Sequence, residues 1–487
     1  MLSWMIFLPI LTSIALFLLP LPMRAVKLAS IAASLTVALL ALLLYATFEP
    51  TAAMQFVEHT PWIASYGISY HIGVDGVSLP LVMMIALLMP LIGIGLFNRE
   101  RKGLWLNLLL AQGGIMGAVL ALDMMLFYLF WETMLLPIFF LIGLYGYGRN
   151  HFTTMKFTIY TIFGSILMLI GLLFIAVAYS QQTGHFSFAL SDLKTLQLGE
   201  REALLAFASF MLAFAIKVPL FPFHTWLSDT YRSSPTGGVV VLSALMAKLG
   251  VYAIWRFLFT LFDATSFELS KWFVALGLFG LIYFGVVAMS QKHMKRLFAY
   301  SSASHLSLMV VGIFIYDLYG LTGASYFIAA HALASGGLFI MIGMQYERTR
   351  THMIDAMGGI ASVAPKFALL FAFFALAIVG VPGTAGFVAE LLIVLGAFHY
   401  SPIVGFVSAT TVLIAMLFVF SLMTRTLYGP PAETSATFHD LKANEIAALA
   451  PIALLILAMG LFPDHFLQKI EPTVEASIHA AKVAHVR

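Results

Sequence analysis

A chain of 487 residues with mean hydropathy +0.99, 61% hydrophobic and only 10% charged residues is not a water-soluble enzyme, in which about a quarter of residues are charged. The near balance of 25 basic against 22 acidic residues gives +3, too small and scattered for a nucleic-acid surface. The absence of cysteine removes disulfides, all-thiolate zinc sites and cysteine-held iron–sulfur clusters. If the protein serves a redox process, the electrons travel elsewhere.

A bilayer core of about 30 Å needs about 20 apolar residues per helix. The sequence predicts fourteen such spans, near 2–20, 26–47, 77–97, 104–122, 123–146, 155–180, 204–228, 235–260, 269–289, 296–316, 319–345, 365–397, 402–427 and 445–466. The opening run lacks a basic start and a cleavage site, so it reads as a retained first span. Only Asp123 marks the turn between the fourth and fifth spans. Residues 1–487 therefore read as one all-α polytopic membrane domain, with 467–487 as a short C-terminal tail.

The basic residues test this map, because cytoplasmic loops carry the excess of Lys and Arg. Sixteen of them, including Arg24, Arg99, Arg149, Arg232, Lys295, Arg296 and Arg350, fall in one set of loops. Six, including Lys469 and Arg487, fall in the other set and the tail. The bias predicts both termini on the periplasmic side of a bacterial inner membrane. Lys217, Lys248 and Arg256 belong to neither set.

Two spans are interrupted. The seventh reads AFAIKVPLFPF with Pro219 and Pro222; the twelfth reads AIVGVPGTAGF with Gly380, Pro382, Gly383 and Gly386. Proline removes a backbone donor and clashes with the preceding turn, so each helix is expected to break, facing protein or a wet cavity. Each break is the fourth member of a five-helix set, spans 4–8 (104–260) and 9–13 (269–427). Five is odd, so the second set is expected to run inverted, as in transporters built from inverted repeats.

A charge at the centre of a span costs about 2.5–3.5 kcal/mol on insertion scales and marks function by default. Glu132, Lys217, Lys248 and Glu390 are such charges, and His305 and His331 add imidazoles in spans 10 and 11. A structural ion pair could account for Glu132 and Lys217, but two lysines, two glutamates and two histidines on six spans cannot all be neutralised pairwise. They suit a proton carrier. Burial disfavours a lysine's charged form and a nearby carboxylate favours it, so the Glu132–Lys217 separation can control whether Lys217 keeps its proton. Histidine exchanges protons near neutral pH. Waters must bridge the groups, and Ser301, Ser302, Ser304, Ser307 and Ser335 offer hydroxyls, although hydroxyls in membrane helices commonly bond the backbone instead. Asp123 and His224 are secondary candidates; His224 and Trp226 fit either a proton entrance or an interfacial aromatic belt.

These residues lie in FYLFWETMLLPIFF, AFAIKVPLFPFHTWLSD with SSPTGG, KRLFAYSSASH, IAAHALASGGLF and VGVPGTAGFVAE. Through these motifs essentially the whole chain resembles the M-type antiporter-like subunits of respiratory complex I, subunit 4 in the mitochondrial naming. The resemblance implies a proton-translocating subunit of NADH:quinone oxidoreductase, coupling quinone reduction elsewhere to pumping along a midplane axis. By motif match Glu132 is the helix-5 glutamate, Lys217 the broken-helix lysine, Lys248 the central lysine, His305 and His331 the linking histidines, and Glu390 the exit group. It also implies no cofactor or metal in this chain, with NADH, FMN, iron–sulfur clusters and quinone in partner subunits. The expected partners are the L-type and N-type subunits and the lipid bilayer. The alternative is a stand-alone or Mrp-type sodium/proton antiporter subunit; there, as in the L and N types, a lysine usually stands where this chain has Glu390. Ser228 and Tyr231 depart from the usual proline and histidine, which puts a proton entrance on that face in doubt, and the short tail lacks the long lateral helix of the L type.

Overall fold

The structure is a computed structural model that describes residues 1–148, 150–436 and 438–485, so Arg149 and Arg487 lie outside the described residues. Among these, ten helices are long and apolar enough to cross a bilayer, and Leu2–Leu18, Leu79–Gly95, Pro365–Val379 and Ala385–Tyr400 are shorter apolar helices. Helices satisfy their own backbone groups, which is what a lipid environment demands. The helices Thr236–Leu261, Met294–Phe314 and Leu318–Thr349 form the buried centre, whereas Met23–Thr47, Ser270–Met289 and Pro402–Thr426 lie at the periphery. Their outward residues, Leu39, Phe279, Ile403 and Phe406 among them, are exposed. Apolar surface this extensive belongs against lipid or partner subunits. Small residues set the close crossings: a Cβ on Gly113 would stand 2.6 Å from the Ile6 carbonyl oxygen, and one on Gly117 would meet the Phe130 ring at 2.5 Å.

The all-α expectation needs correction at 55–74. Gln55–Ile63 and Ile68–Val74 form an antiparallel hairpin, with His59 opposite His71 and Thr60 opposite Tyr70. The segment is too short and polar to cross a membrane, and its Val, Ile, Tyr and Trp content favours strands. Gly67, at φ 65°, closes the connection in the left-handed region open to glycine. The tail carries the helix Glu471–His485; Val474 is buried, and Thr473 Oγ1 accepts a 3.2 Å bond from the Gly76 amide.

Asp123 ties the hairpin to the bundle. Its Oδ1 caps Met124–Thr133 by accepting from the Met125 and Leu126 amides at 2.9 and 3.0 Å, while Oδ2 accepts from the Ser69 amide at 2.9 Å. Asp123→Ala removes a helix cap and the hairpin anchor together, so a stability loss of at least about 1–2 kcal/mol is expected. A lower unfolding temperature and faster proteolysis near residue 64 are the readouts.

Candidate functional site

The first break follows from its prolines. The helix Glu200–Lys217 stops at Lys217, residues 218–226 are not α-helical, and Leu227–Ser233 resumes. The freed backbone groups find other partners: Leu220 donates to the Ala215 carbonyl at 2.9 Å, and Trp226 Nε1 donates to the Ile216 carbonyl at 3.0 Å. Lys217 is thereby fixed as the last helical residue, buried, with Nζ 4.4 Å from the Trp131 ring centroid and without a hydrogen-bond partner. Glu132 is half-buried one residue beyond that tryptophan, and its Oε1 also lacks a partner. The two charges are in coulombic reach but form no ion pair within 4 Å among the described residues. Space between them and the missing partners are what a variable separation requires.

Lys248 lies in Thr236–Leu261, wholly buried, between two π-helical stretches, Val241–Met246 and Ile254–Leu258. Its Nζ donates to the Ser243 carbonyl, five residues back, and Ser243 Oγ is left without a partner. π turns widen the helix and recur at functional positions. The next turn carries Gly250, where a Cβ would stand 3.1 Å from Lys217 Cβ. Lys217 and Lys248 are therefore on directly packed helices.

Three groups converge at the other break. His305 on Met294–Phe314 and His331 on Leu318–Thr349 have ring centroids 5.3 Å apart, and Phe327 packs on both. His305 Nε2 is 3.5 Å from Glu390 Oε1 on Ala385–Tyr400. Both histidines and Glu390 are buried, and none of their side-chain nitrogens or oxygens has a hydrogen-bond partner. Lys248 is within coulombic reach of both imidazoles. The second break, after Pro365–Val379, presents Gly380 at φ 75°, where a Cβ would stand 2.9 Å from Glu390 Oε2. Gly380→Ala is thus expected to cost about 1–2 kcal/mol in backbone strain and to push the Glu390 carboxylate away. Thermal unfolding measures the first effect, and proton pumping in the assembled complex the second.

Several candidates are occupied otherwise. Ser304, Ser307 and Ser335 bond the carbonyls of Leu281, Ala303 and His331, while Ser301 Oγ is buried without a partner. His224 packs among Phe221, Tyr283 and Phe284 with Nδ1 unpartnered. Tyr231 is fully buried against Phe339, and Ser228 accepts from Tyr300 at 3.2 Å. Two further cations, buried Lys295 and largely buried Arg256, were not read as site candidates from the sequence. Lys295 lies in the first turn of Met294–Phe314, not in a loop, and donates to the Ser234 carbonyl at 2.8 Å. Arg256, left over by the loop pattern, pairs with buried Asp75. Among the described residues no group of three His, Asp or Glu could hold a metal ion.

Unpartnered ionisable side chains inside an apolar helical bundle with two broken helices define an antiporter-like membrane protein. The family model for the NADH:quinone oxidoreductase/Mrp antiporter transmembrane region matches residues 121–417. NADH-quinone oxidoreductase subunit M of Rhodobacter capsulatus is 35% identical over 466 residues, 93% of this chain and 90% of that one. A chain of respiratory complex I from Thermus thermophilus superposes with a TM-score of 0.91 at 31% identity, covering 99% of this chain and 100% of that chain. A chain of the Mrp complex from Dietzia sp. shares the fold, with a TM-score of 0.87 at 19% identity over 100% and 98% of the two chains. The chain belongs to this NADH:quinone oxidoreductase/Mrp antiporter family, and within it to the M-type antiporter-like membrane subunits of complex I.

Proposed function

We propose that this subunit moves protons across the membrane through Glu132, Lys217, Lys248, His331, His305 and Glu390, and carries no redox chemistry itself. Quinone reduction in neighbouring subunits alters the field around Glu132 and Lys217. Lys217 then exchanges its proton with Lys248, and the two histidines lead to Glu390. The supporting observation is the set of buried nitrogens and oxygens on Lys217, His305, His331 and Glu390 that lack any hydrogen-bond partner. Leaving such groups unpaired costs about 1–3 kcal/mol each. Bridging waters, or protons in transit, relieve that cost.

In this reading the chain crosses the membrane fourteen times, with 104–260 and 269–427 as inverted halves and both termini periplasmic. L-type and N-type subunits flank it. Glu132, half-buried at the bundle surface, is the group through which a neighbour acts. The test is Glu390→Gln in the assembled complex, in proteoliposomes oxidising NADH. Fewer protons moved per electron, with assembly and flavin reduction intact, is the expected result; an unchanged ratio removes Glu390 from the path. Dependence of transport on sodium, at constant pH, would favour the Mrp-type exchange instead.

A further inference from the structure

The end of the bundle that carries most Lys and Arg holds a cavity of about 800 Å³, remote from the row of unpartnered groups. Its walls come from Leu227–Ser233, the start of Met294–Phe314 and the segment after Leu318–Thr349. Arg232, Arg296 and Arg350 line it, against the single carboxylate of Asp229. That carboxylate is already engaged, by Lys156 at 3.0 Å and Arg296 at 2.7 Å. Arg232 and Arg350 are exposed and have no ion pair among the described residues. The cavity is therefore electropositive, with two guanidinium groups to spare.

The buried wall carries unpartnered nitrogens. His352 is only 7% exposed, and neither of its ring nitrogens has a partner. Arg296 Nε and His293 Nδ1 are likewise buried and unsatisfied. Burial, and then the charges of Arg232, Lys295 and Arg296, push the His293 imidazole down to about 4, as expected next to an uncompensated positive field. Guanidinium and imidazole donors around a space whose one carboxylate among the described residues is already engaged suit an anion with several oxygens, a phosphate above all.

The rim favours one source of that phosphate. Phe152, on the first turns of Asn150–Thr183, lines the cavity and is 64% exposed. Met155, Ile159, Phe163 and Ile166 follow it, all exposed and spaced three or four residues apart. An apolar stripe thus runs from the cavity mouth along the outside of that helix, where an acyl chain would lie. A soluble phosphate would use the donors but leave this stripe idle.

We infer that the cavity bounded by Arg232, Arg296, Arg350 and His352 binds the phosphate headgroup of an anionic phospholipid whose chains lie along Phe152–Ile166. The test uses the whole complex in nanodiscs of phosphatidylcholine containing a small fraction of phosphatidylglycerol with a photoactivatable headgroup. Crosslinks are expected on peptides covering 147–153 and 346–353. In Arg232→Gln/Arg350→Gln they should require about twenty-five-fold more anionic lipid, since each arginine near an anionic surface is worth about fivefold in affinity. Arg24→Gln/Lys366→Gln, which removes equal charge from exposed positions elsewhere, should behave as wild type. Equal weakening in both variants, or no crosslink at these peptides, overturns the inference. So does inorganic phosphate that binds in pure phosphatidylcholine discs, is lost in Arg232→Gln/Arg350→Gln, and is not displaced by phosphatidylglycerol: the ligand would then be a soluble anion.

Discussion

Lys217→Ala is expected to lower NADH-driven proton pumping by about tenfold or more, equivalent to about 1.4 kcal/mol on the limiting proton step. The side chain is buried at a helix end that Pro219 and Pro222 enforce, and its ammonium meets the Trp131 ring and no hydrogen-bond acceptor. A cation–π contact of this kind is worth about 0.5–2 kcal/mol. It holds the charge in place without fixing the proton to an acceptor, which suits a group that must release and regain it. Alanine removes the titrating group. Lys217→Arg keeps a permanent charge, so it should preserve assembly while failing to pump, because arginine does not deprotonate in proteins. Trp131→Leu should produce an intermediate loss by freeing the ammonium. Pumping rates in proteoliposomes, normalised to the amount of assembled complex, distinguish these outcomes; an undiminished rate in Lys217→Ala removes it from the path.

Asp75→Ala should have the largest effect on stability, about 3–5 kcal/mol, because it leaves Arg256, whose side chain is only 10% exposed, without its counter-charge. The carboxylate also accepts the Val77 and Ser78 amides at 3.1 and 3.0 Å, and so fixes the turn into Leu79–Gly95. On the other side Arg256 Nε donates to the Tyr252 hydroxyl at 3.1 Å, which donates to the Val119 carbonyl at 2.9 Å. One substitution thus loosens three helices. Asp75→Ala/Arg256→Met should recover much of the loss, since the remaining cost comes from lost bonds and not from a stranded charge. Burial raises the Asp75 carboxyl, but Arg256 and Ser78 outweigh it and hold the group below its ordinary range. A lowered native value means that the pair stabilises fully above the unfolded value of about 3.9 and less as acid protonates it. The unfolding temperatures of wild type and Asp75→Ala should therefore differ most at neutral pH and converge in acid.

The chemistry-bearing residues were legible because the background is so apolar. Lys217, Lys248 and Glu390 are conspicuous inside long hydrophobic runs, and Pro219 and Gly380 announce the breaks beside two of them. Asp123 could be read as a turn, though not as a hairpin anchor, because Ser69 is 54 positions away. The approach of His305 to Glu390 was equally illegible: it depends on how Met294–Phe314 packs against the far side of the second break. Lys295 was misplaced because a cation next to Lys292 and Arg296 looks like a loop charge, and only the fold shows that its turn is sealed. The hairpin escaped because Pro61 and the charges flanking it blur a period-two pattern.

The paired π turns of Thr236–Leu261 separate two properties that a hydropathy profile treats as one. Each wide turn accommodates an extra residue, and a residue in an α-helix corresponds to about 100° of rotation. A helical wheel drawn from Thr236 therefore aims Lys248 at the wrong neighbour, and by Phe259 the error has doubled. Deleting a single residue between 241 and 246 would leave the crossing long enough and greasy enough, yet would swing everything beyond it to a different azimuth.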